Sequence, residues 1–212
     1  MTNVGDPRMD ARAHWDAIYR TKALEELSWQ QPAAELSSSL IQELAPDRAA
    51  AIIDVGGGAS PLVDGLLDAG YRDITVLDLA PSALARARAR LGAARAARVV
   101  WLDGDVCTAQ LAPGRYDVWH DRAVFHFLTV PAARAAYLAQ VRRAVRPGGL
   151  VLVATFAEDG PTRCSGLEVA RYSAAALHAV FGDDFTPVRQ LREVHRTPWG
   201  APQAFTYWVC RA

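Results

Sequence analysis

The chain has 212 residues, 51% of them hydrophobic, and its 23 Lys and Arg side chains balance 23 Asp and Glu. This length suits one domain with a substantial core, and the charge balance argues against nucleic acid or an anionic membrane surface as a partner. Apolar runs stay well short of the roughly 18 residues of a membrane span, and residues 1–10 lack a secretory signal, so we expect a cytoplasmic protein. Three cysteines without CxxC spacing predict neither a disulfide framework nor a metal site.

The segment before residue 50 is predicted to be a separate element. Residues 12–22 have a helical pattern that places Trp15 and Tyr19 four apart on one face. We expect residues 1–49 to form a helical lid over a domain of residues 50–212.

From residue 50 onward, strand-like runs alternate with helical patterns. This order predicts an α/β fold, a Rossmann-like three-layer sandwich with a mostly parallel seven-stranded sheet that ends in an antiparallel hairpin. The predicted strands are residues 51–55, 74–77, 99–102, 116–120, 150–155, 188–196 and 203–211. The predicted helices are residues 61–69, 81–91, a helix after residue 123, 131–145 and 173–181, with a tight turn at 146–149.

The residues that follow the strands are the candidate binding residues, because ligands of open α/β sheets lie at the carboxyl ends of the strands. Gly56, Gly57 and Gly58 allow a sharp turn and a close approach to a ligand. Asp78 follows the second strand, where a carboxylate can accept both hydroxyls of a ribose, and Asp105 follows the third, where it can hold an adenine amino group. Each residue alone also fits a turn or a helix cap, but the ordered set predicts a nucleoside ligand.

A dinucleotide is disfavoured as that ligand. In the fingerprint GxGxxG counted from Gly56, Pro61 stands where the third glycine belongs, and its ring would obstruct close helix packing. Lys22 is the only lysine and lies outside the core, so the Tyr-x-x-x-Lys pair of short-chain dehydrogenases is missing.

The chain resembles a known family in several motifs. Residues 54–60, Asp-Val-Gly-Gly-Gly-Ala-Ser, are similar to motif I of the class I S-adenosylmethionine-dependent methyltransferases, and residues 76–82 to their second motif. Residues 146–149 are similar to their turn before the fifth strand. The segment with His14, Trp15, Asp16, Tyr19 and Trp29 resembles the lid of lysine methyltransferases that modify elongation factor or citrate synthase, and proteins described as tellurite or thiopurine methyltransferases.

The resemblance implies S-adenosylmethionine as the cofactor, held by the lid and by the ends of four strands. The implied cofactor residues are Trp15, Tyr19 and Trp29 as a cover, Asp54, Gly56 and Gly58 in the glycine loop with Gly56 at the methionine part, Asp78 and Leu79 at the ribose, Asp105 and Val106 at the adenine, and Arg122 in place of a lysine. Aromatic faces attract a sulfonium cation, although the spacing of Trp15 and Tyr19 equally fits ordinary core packing.

The predicted activity is methyl transfer by in-line displacement to a small polar, thiol or metalloid acceptor. Protein lysine is an alternative acceptor, and a non-enzymatic S-adenosylmethionine-binding module is an alternative of another class.

Candidate bases are Asp121, after the fourth strand, and His126, whose ordinary pKa near 6.5 suits proton removal. The alternative role is a helix cap for Asp121 and a packed residue for His126. The loop 157–166 is expected to recognise the acceptor and contains Cys164. Nucleic-acid methylation is disfavoured because Asp-Arg-Ala-Val at residues 121–124 replaces the Asn/Asp-Pro-Pro-aromatic motif.

Overall fold

A seven-stranded sheet forms the centre of the computed structural model, which describes residues 7–212, with side chains from residue 11 onward. Its strands are β1 Ala51–Val55, β2 Asp73–Asp78, β3 Val99–Asp103, β4 Tyr116–Arg122, β5 Val145–Phe156, β8 Thr186–Arg196 and β9 Pro202–Arg211. The strand order is β3-β2-β1-β4-β5-β9-β8; the first five strands are parallel, and β9 runs antiparallel to both β5 and β8. A separate two-stranded hairpin consists of β6 Arg163–Cys164 and β7 Leu167–Glu168. The predicted Rossmann-like α/β sheet is confirmed.

Helices cover both faces of this sheet. They are α1 Pro7–Thr21, α2 Glu35–Leu44, α3 Leu62–Asp68, α4 Pro81–Ala96, α5 Pro131–Ala144 and α6 Ala174–Phe181. Successive side chains of β1 point to opposite faces: Ile52 packs in a core with Leu66 of α3, and Ile53 packs in a second core with Tyr137 of α5. Among the described residues, no helix is long and apolar enough to cross a bilayer.

The residues before β1 divide into two parts. In the first, Ile18, Tyr19 and Leu27 pack with residues at the start of α4. We call residues 11–34 the lid segment. In the second part, Leu40 and Ile41 of α2 belong to the main core, so α2 is built into the sheet domain although the sequence placed it in the lid. Residues 1–6 of the predicted lid lie outside the described residues.

The structure differs from the sequence prediction at two helices. Helix α2 was not predicted, because the serines at 37–39 are poor helix formers that hide the apolar spacing around them. The predicted helix after residue 123 is only a 3₁₀ turn, Phe125–Phe127. The carboxylate of Asp121 accepts the N–H groups of Val124 and Phe125, and Ala123 has φ 77°, so the chain turns sharply here.

The predicted turn 146–149 lies inside β5. Val145 pairs with Tyr116, but Leu150 pairs with Val118, so the intervening residues form a bulge. Gly148 has φ 75°, and its N–H donates to the carbonyl of Ala212 at 2.6 Å. The bulge therefore anchors the C-terminal end of the chain.

Candidate active site

A cavity of about 850 Å³ opens between the carboxyl ends of the parallel strands and the lid segment. Most of the predicted cofactor residues line it: Trp15, Tyr19, Trp29, Gly56, Asp78, Leu79, Asp105, Val106 and Arg122. Asp54 lines a smaller adjoining cavity, and Gly58 lines neither of the two. The fold thus brings together residues that are up to 107 positions apart, from Trp15 to Arg122 (122 − 15).

The glycine loop follows β1 and has no room for larger residues. Gly56 has φ 65°, and a Cβ atom there would collide with Val124. A Cβ on Gly57 would lie 2.5 Å from Oδ2 of Asp54. The loop backbone therefore passes directly over the Asp54 carboxylate, which only glycine permits.

Asp78 ends β2 and lines the large cavity. Its Oδ1 accepts the N–H of Ala80 at 2.7 Å, and the N–H of Gly58 also binds this carboxylate. Burial raises the pKa of Asp78 to about 7, and the negative charges of Asp54 and Asp103 add to the effect. A ligand that donates hydroxyl groups to Asp78 would favour its ionised form.

Asp105 holds the loop after β3. Its Oδ1 accepts the N–H of Cys107 at 2.8 Å, a turn that presents Val106 to the cavity. Asp105 also lines the cavity, and its contact with an adenine amino group stays a prediction.

A buried chain of polar groups supports the glycine loop from below. Oδ1 of Asp54 lies 2.7 Å from Nδ1 of His120, and Nε2 of His120 lies 2.9 Å from Oγ of Ser37. All three residues are at most 3% exposed, and Oδ2 of Asp54 has no hydrogen-bond partner among the described residues. Neither His120 nor Ser37 was predicted from the sequence as a site residue. The available signal was a histidine directly after the apolar pair Val118-Trp119 in the predicted strand, whereas Ser37 lies on the unpredicted helix.

The aromatic residues of the lid segment contact one another above the cavity. The indole N–H of Trp29 donates to the Tyr19 hydroxyl at 3.1 Å, and the rings of Trp15 and Trp29 meet edge to face at 5.6 Å. Burial raises the pKa of Tyr19, so its phenol stays protonated. These contacts fix the three rings as a cover.

Arg122, at the end of β4, joins the lid segment to the last two strands. Its Nε donates to the Tyr207 hydroxyl at 3.0 Å, and its Nη2 lies 3.3 Å from Oε2 of Glu193. Its Nη1 donates to the carbonyl of Trp29 at 3.4 Å, and its Cζ lies 4.3 Å above the ring of Phe205. The positive charge of Arg122 is therefore already paired.

The remaining lining of the large cavity is mostly apolar. It includes Phe127, Phe156, Cys164, Leu167, Glu168 and Phe205, of which only Cys164 was predicted from the sequence as a candidate acceptor residue. Cys164 is the single residue of the loop 157–166 that lines this cavity among the described residues, and burial raises the pKa of its thiol. The pairing of Phe156 on β5 with Phe205 on β9 depends on the antiparallel register and could not be predicted from the sequence.

The two predicted bases lie away from the cavity surface. The carboxylate of Asp121 is fully buried and accepts the Tyr137 hydroxyl at 2.7 Å as well as the N–H groups of the following turn. His126 is also fully buried, and its Nδ1 accepts the N–H of Phe156 at 3.2 Å. Burial raises the pKa of Asp121 to about 6 and lowers that of His126 to about 3. Asp121 therefore has the contacts of a cap, and His126 has those of a packed core residue. These contacts do not favour either residue as a base.

Comparisons with known proteins agree with this geometry. Residues 53–151 match a family model described as a methyltransferase domain. The ubiquinone/menaquinone biosynthesis C-methyltransferase UbiE of Paracoccus denitrificans is 30% identical over 124 residues, 57% of this chain and 48% of the relative. The chain thus spans about half the length of the curated relatives it matches.

Solved structures extend the likeness to the whole chain. The 1,6-didemethyltoxoflavin-N1-methyltransferase of Burkholderia thailandensis, with bound S-adenosylhomocysteine, has a TM-score of 0.73 at 21% identity and covers 100% of this chain and 92% of its own. A methyltransferase of Anabaena variabilis has a TM-score of 0.73 at 14% identity, covering 98% and 95%.

The matched residues include the glycine loop, Asp78 and Asp105, which line the large cavity or support it. The finer resemblance of the lid to the lysine, tellurite or thiopurine groups stays a prediction. Residues 53–151 thus match a methyltransferase domain, and the chain has the fold of solved methyltransferases, which supports the predicted resemblance to the class I S-adenosylmethionine-dependent methyltransferases.

Proposed function

We propose that the protein transfers a methyl group from S-adenosylmethionine to a small-molecule acceptor by in-line displacement. The observation that carries this proposal is one cavity lined both by the cofactor residues and by a second group not needed for the cofactor. Its volume of about 850 Å³ is near the upper end of ordinary ligand cavities. Two ligands can therefore lie side by side in it.

The cofactor supplies the methyl group as a sulfonium. In this proposal Asp78 and Leu79 bind the ribose, Asp105 and Val106 bind the adenine, and the lid rings cover the sulfonium. Their aromatic faces favour a cation and exclude water. The chain then accelerates transfer mainly by orientation, which can lower a barrier by about 7–11 kcal/mol.

The contacts in the acceptor part narrow the predicted acceptor classes. Cys164 has a thiol whose pKa is raised by burial, so it does not offer the thiolate that a metalloid would bind. Arg122 is paired with Glu193 and does not offer a free cation to a polar anion. A small organic acceptor is therefore favoured over a metalloid or an oxyanion.

Calorimetry with S-adenosylhomocysteine tests the cofactor assignment. Wild type is expected to bind, and Asp78→Ala to bind at least about tenfold more weakly, because hydrogen bonds to a charged group each contribute about 1.5–3 kcal/mol. The matched control is Asp73→Ala at the opposite end of β2, where Asp73 pairs with Arg115. Equal affinity of wild type and Asp78→Ala would remove the ribose assignment, and no binding by wild type would remove the proposed function.

Labelled S-adenosylmethionine separates an enzyme from a binding module. The purified protein is incubated with panels of phenols, heteroaromatic amines, thiols and cell lysate, and methylated products are counted. Transfer to a small molecule supports the proposal, and transfer to protein in the lysate supports the lysine alternative. Binding without transfer on every panel would favour the module.

A further inference from the structure

The glycine loop leads into a short turn before α3. This turn consists of Ala59, Ser60 and Pro61, and we call it the loop turn. All three residues line the smaller cavity, which Asp54 also lines. The loop turn is therefore part of the wall of this cavity, and its position determines the shape of the space beside the glycine loop.

Local backbone contacts give the loop turn little support. Gly58 precedes it with φ 43°, and a glycine populates left-handed and right-handed conformations about equally. The N–H of Ser60 donates to the carbonyl of Gly57 at 2.7 Å, and the Ser60 hydroxyl accepts the N–H of Leu62 at 3.2 Å. Both hydrogen bonds lie within the loop and the start of α3, so they do not fix the turn against α4.

One arginine of α4 holds the loop turn from outside. Nη1 of Arg90 donates to the carbonyl of Ala59 at 2.5 Å, and its Nη2 donates to the carbonyl of Ser60 at 2.7 Å. Its Nε and Nη2 also donate to Oδ2 of Asp64 on α3, at 3.2 and 2.6 Å. The planar guanidinium presents these donors in a rigid fork, which a lysine cannot do. Arg90 therefore joins the loop turn, α3 and α4.

The lid segment packs against the residue that Arg90 holds. Ala59 is 2% exposed and belongs to one hydrophobic cluster with Ile18, Tyr19 and Leu27 of the lid segment. A displacement of Ala59 would be transmitted to these side chains, because a close-packed cluster leaves no space to absorb it. The contact of Arg90 with the carbonyl of Ala59 thus stabilises the seat of the lid segment as well as the loop turn.

We propose that Arg90 is a positioning residue for cofactor binding, because it fixes the loop turn and the seat of the lid segment at the same time. This inference rests on the proposed function, in which the cofactor lies between the glycine loop and the lid segment. Arg90 itself lines neither cavity, so it acts through the carbonyls of Ala59 and Ser60. Loss of these hydrogen bonds would let a bound cofactor leave faster.

A second arginine of α4 provides the matched control. Nη2 of Arg95 donates to the carbonyl of Asp64 at 3.1 Å and pairs with Asp68 at 2.7 Å, and neither contact involves the loop turn. Arg90→Ala and Arg95→Ala therefore each remove one link between α4 and α3, but only Arg90→Ala releases the loop turn. Each variant loses a partly exposed ion pair, so we expect similar small decreases in the free energy of unfolding in urea.

Calorimetry and stopped-flow fluorescence with S-adenosylhomocysteine test the role of Arg90. We expect Arg90→Ala to bind this ligand about tenfold more weakly than wild type, and Arg95→Ala to bind it within about twofold of wild type. Most of the loss is expected in the dissociation rate, which tryptophan fluorescence can follow because Trp15 and Trp29 line the cavity. Wild-type affinity in Arg90→Ala, or equal losses in both variants, would overturn the proposal. Failure of wild type to bind the ligand would instead remove the proposed function.

Arg90→Lys separates the hydrogen bonds to the loop turn from the ion pair with Asp64. This variant keeps a positive charge beside the Asp64 carboxylate and is therefore expected to fold, but it lacks the fork that reaches both carbonyls. We expect it to bind S-adenosylhomocysteine at least about fivefold more weakly than wild type. Wild-type affinity and dissociation rate in Arg90→Lys would show that the ion pair is sufficient, and would overturn the assignment of Arg90 to the loop turn.

Discussion

His120 is the central residue of the polar chain under the glycine loop. It bridges Asp54 and Ser37, and therefore links β1, β4 and α2 through buried side chains. The same order of groups activates a serine in hydrolases. Here Ser37 is only 2% exposed, so it tethers the imidazole instead of meeting a substrate.

Loss of this tether should weaken the hold on one end of the cofactor. We propose that the Asp54 carboxylate faces the amino-acid end of the cofactor. His120→Ala and Ser37→Ala are then expected to reduce affinity for S-adenosylhomocysteine by about tenfold, because that carboxylate loses its fixed direction. Affinity for 5′-methylthioadenosine, which lacks that end, should change little. Calorimetry with both ligands gives the comparison.

Tyr71→Phe is the matched control, since it removes a hydroxyl that binds the carbonyls of Ile41 and Ala45 at α2 without touching the site. A parallel loss of affinity for both ligands would instead indicate general loosening of the fold.

Side chains of β4, β8 and β9 help to hold the lid segment, in addition to its packing against the start of α4. Glu193 on β8 accepts hydrogen bonds from Gln31 at 3.1 Å, Arg122 at 3.3 Å and Tyr207 at 3.0 Å. The imidazole Nε2 of His195 lies 2.7 Å from the carbonyl oxygen of Ser28. The terminal hairpin therefore does more than close the sheet, because it positions the cover of the cavity.

Glu193→Ala should release that cover. Removing one partner of a buried ion pair costs about 3–5 kcal/mol, since Arg122 is left uncompensated with a side chain only 9% exposed. We expect a lower free energy of unfolding in urea and faster proteolysis within the lid segment. Asp159→Ala, which breaks the exposed pair with Arg192, should cost less than about 1 kcal/mol. Equal effects of the two variants would contradict the proposed anchor.

At the scale of the whole molecule, binding and stability make opposite demands on Asp78. Its folded pKa of about 7 lies above the ordinary value of 3.8, so the folded protein binds more protons than the unfolded chain between these values. The contribution of Asp78 to the free energy of unfolding is therefore present at low pH and is lost as pH rises through 7. Asp121, with a pKa raised to about 6, acts in the same direction.

Asp78→Asn should remove part of this pH dependence. One pKa unit corresponds to about 1.4 kcal/mol. From pH 5 to pH 8, the free energy of unfolding of the variant is therefore expected to rise by on the order of 2 kcal/mol relative to that of wild type. Urea unfolding at both pH values measures the difference, with Asp73→Asn as the control. If the difference in free energy of unfolding between variant and wild type stays constant with pH, the raised pKa of the buried Asp78 carboxylate is contradicted.

The parallel sheet and most of its strand positions could be predicted from the chain alone. Short apolar runs, glycines after the first strand and acids after the next two are local patterns, and a parallel sheet aligns their carboxyl ends at one edge. Local patterns failed where a tertiary contact overrides them. The bulge in β5 depends on pairing with β4 and on Ala212, and α2 depends on burial of Leu40 and Ile41 against the sheet.

The sequence by itself determined the fold class, the glycine loop and the acids Asp78 and Asp105, because each follows directly from residue type and position along the chain. Only the tertiary structure decided what surrounds them. The Asp54–His120–Ser37 chain, the pairing of Arg122 with Glu193 and the contact of Phe156 with Phe205 join residues from distant strands and helices. The tertiary structure also places Asp121 and His126 in the core, away from the cavity. Such contacts depend on strand register and side-chain direction, which no local spacing specifies.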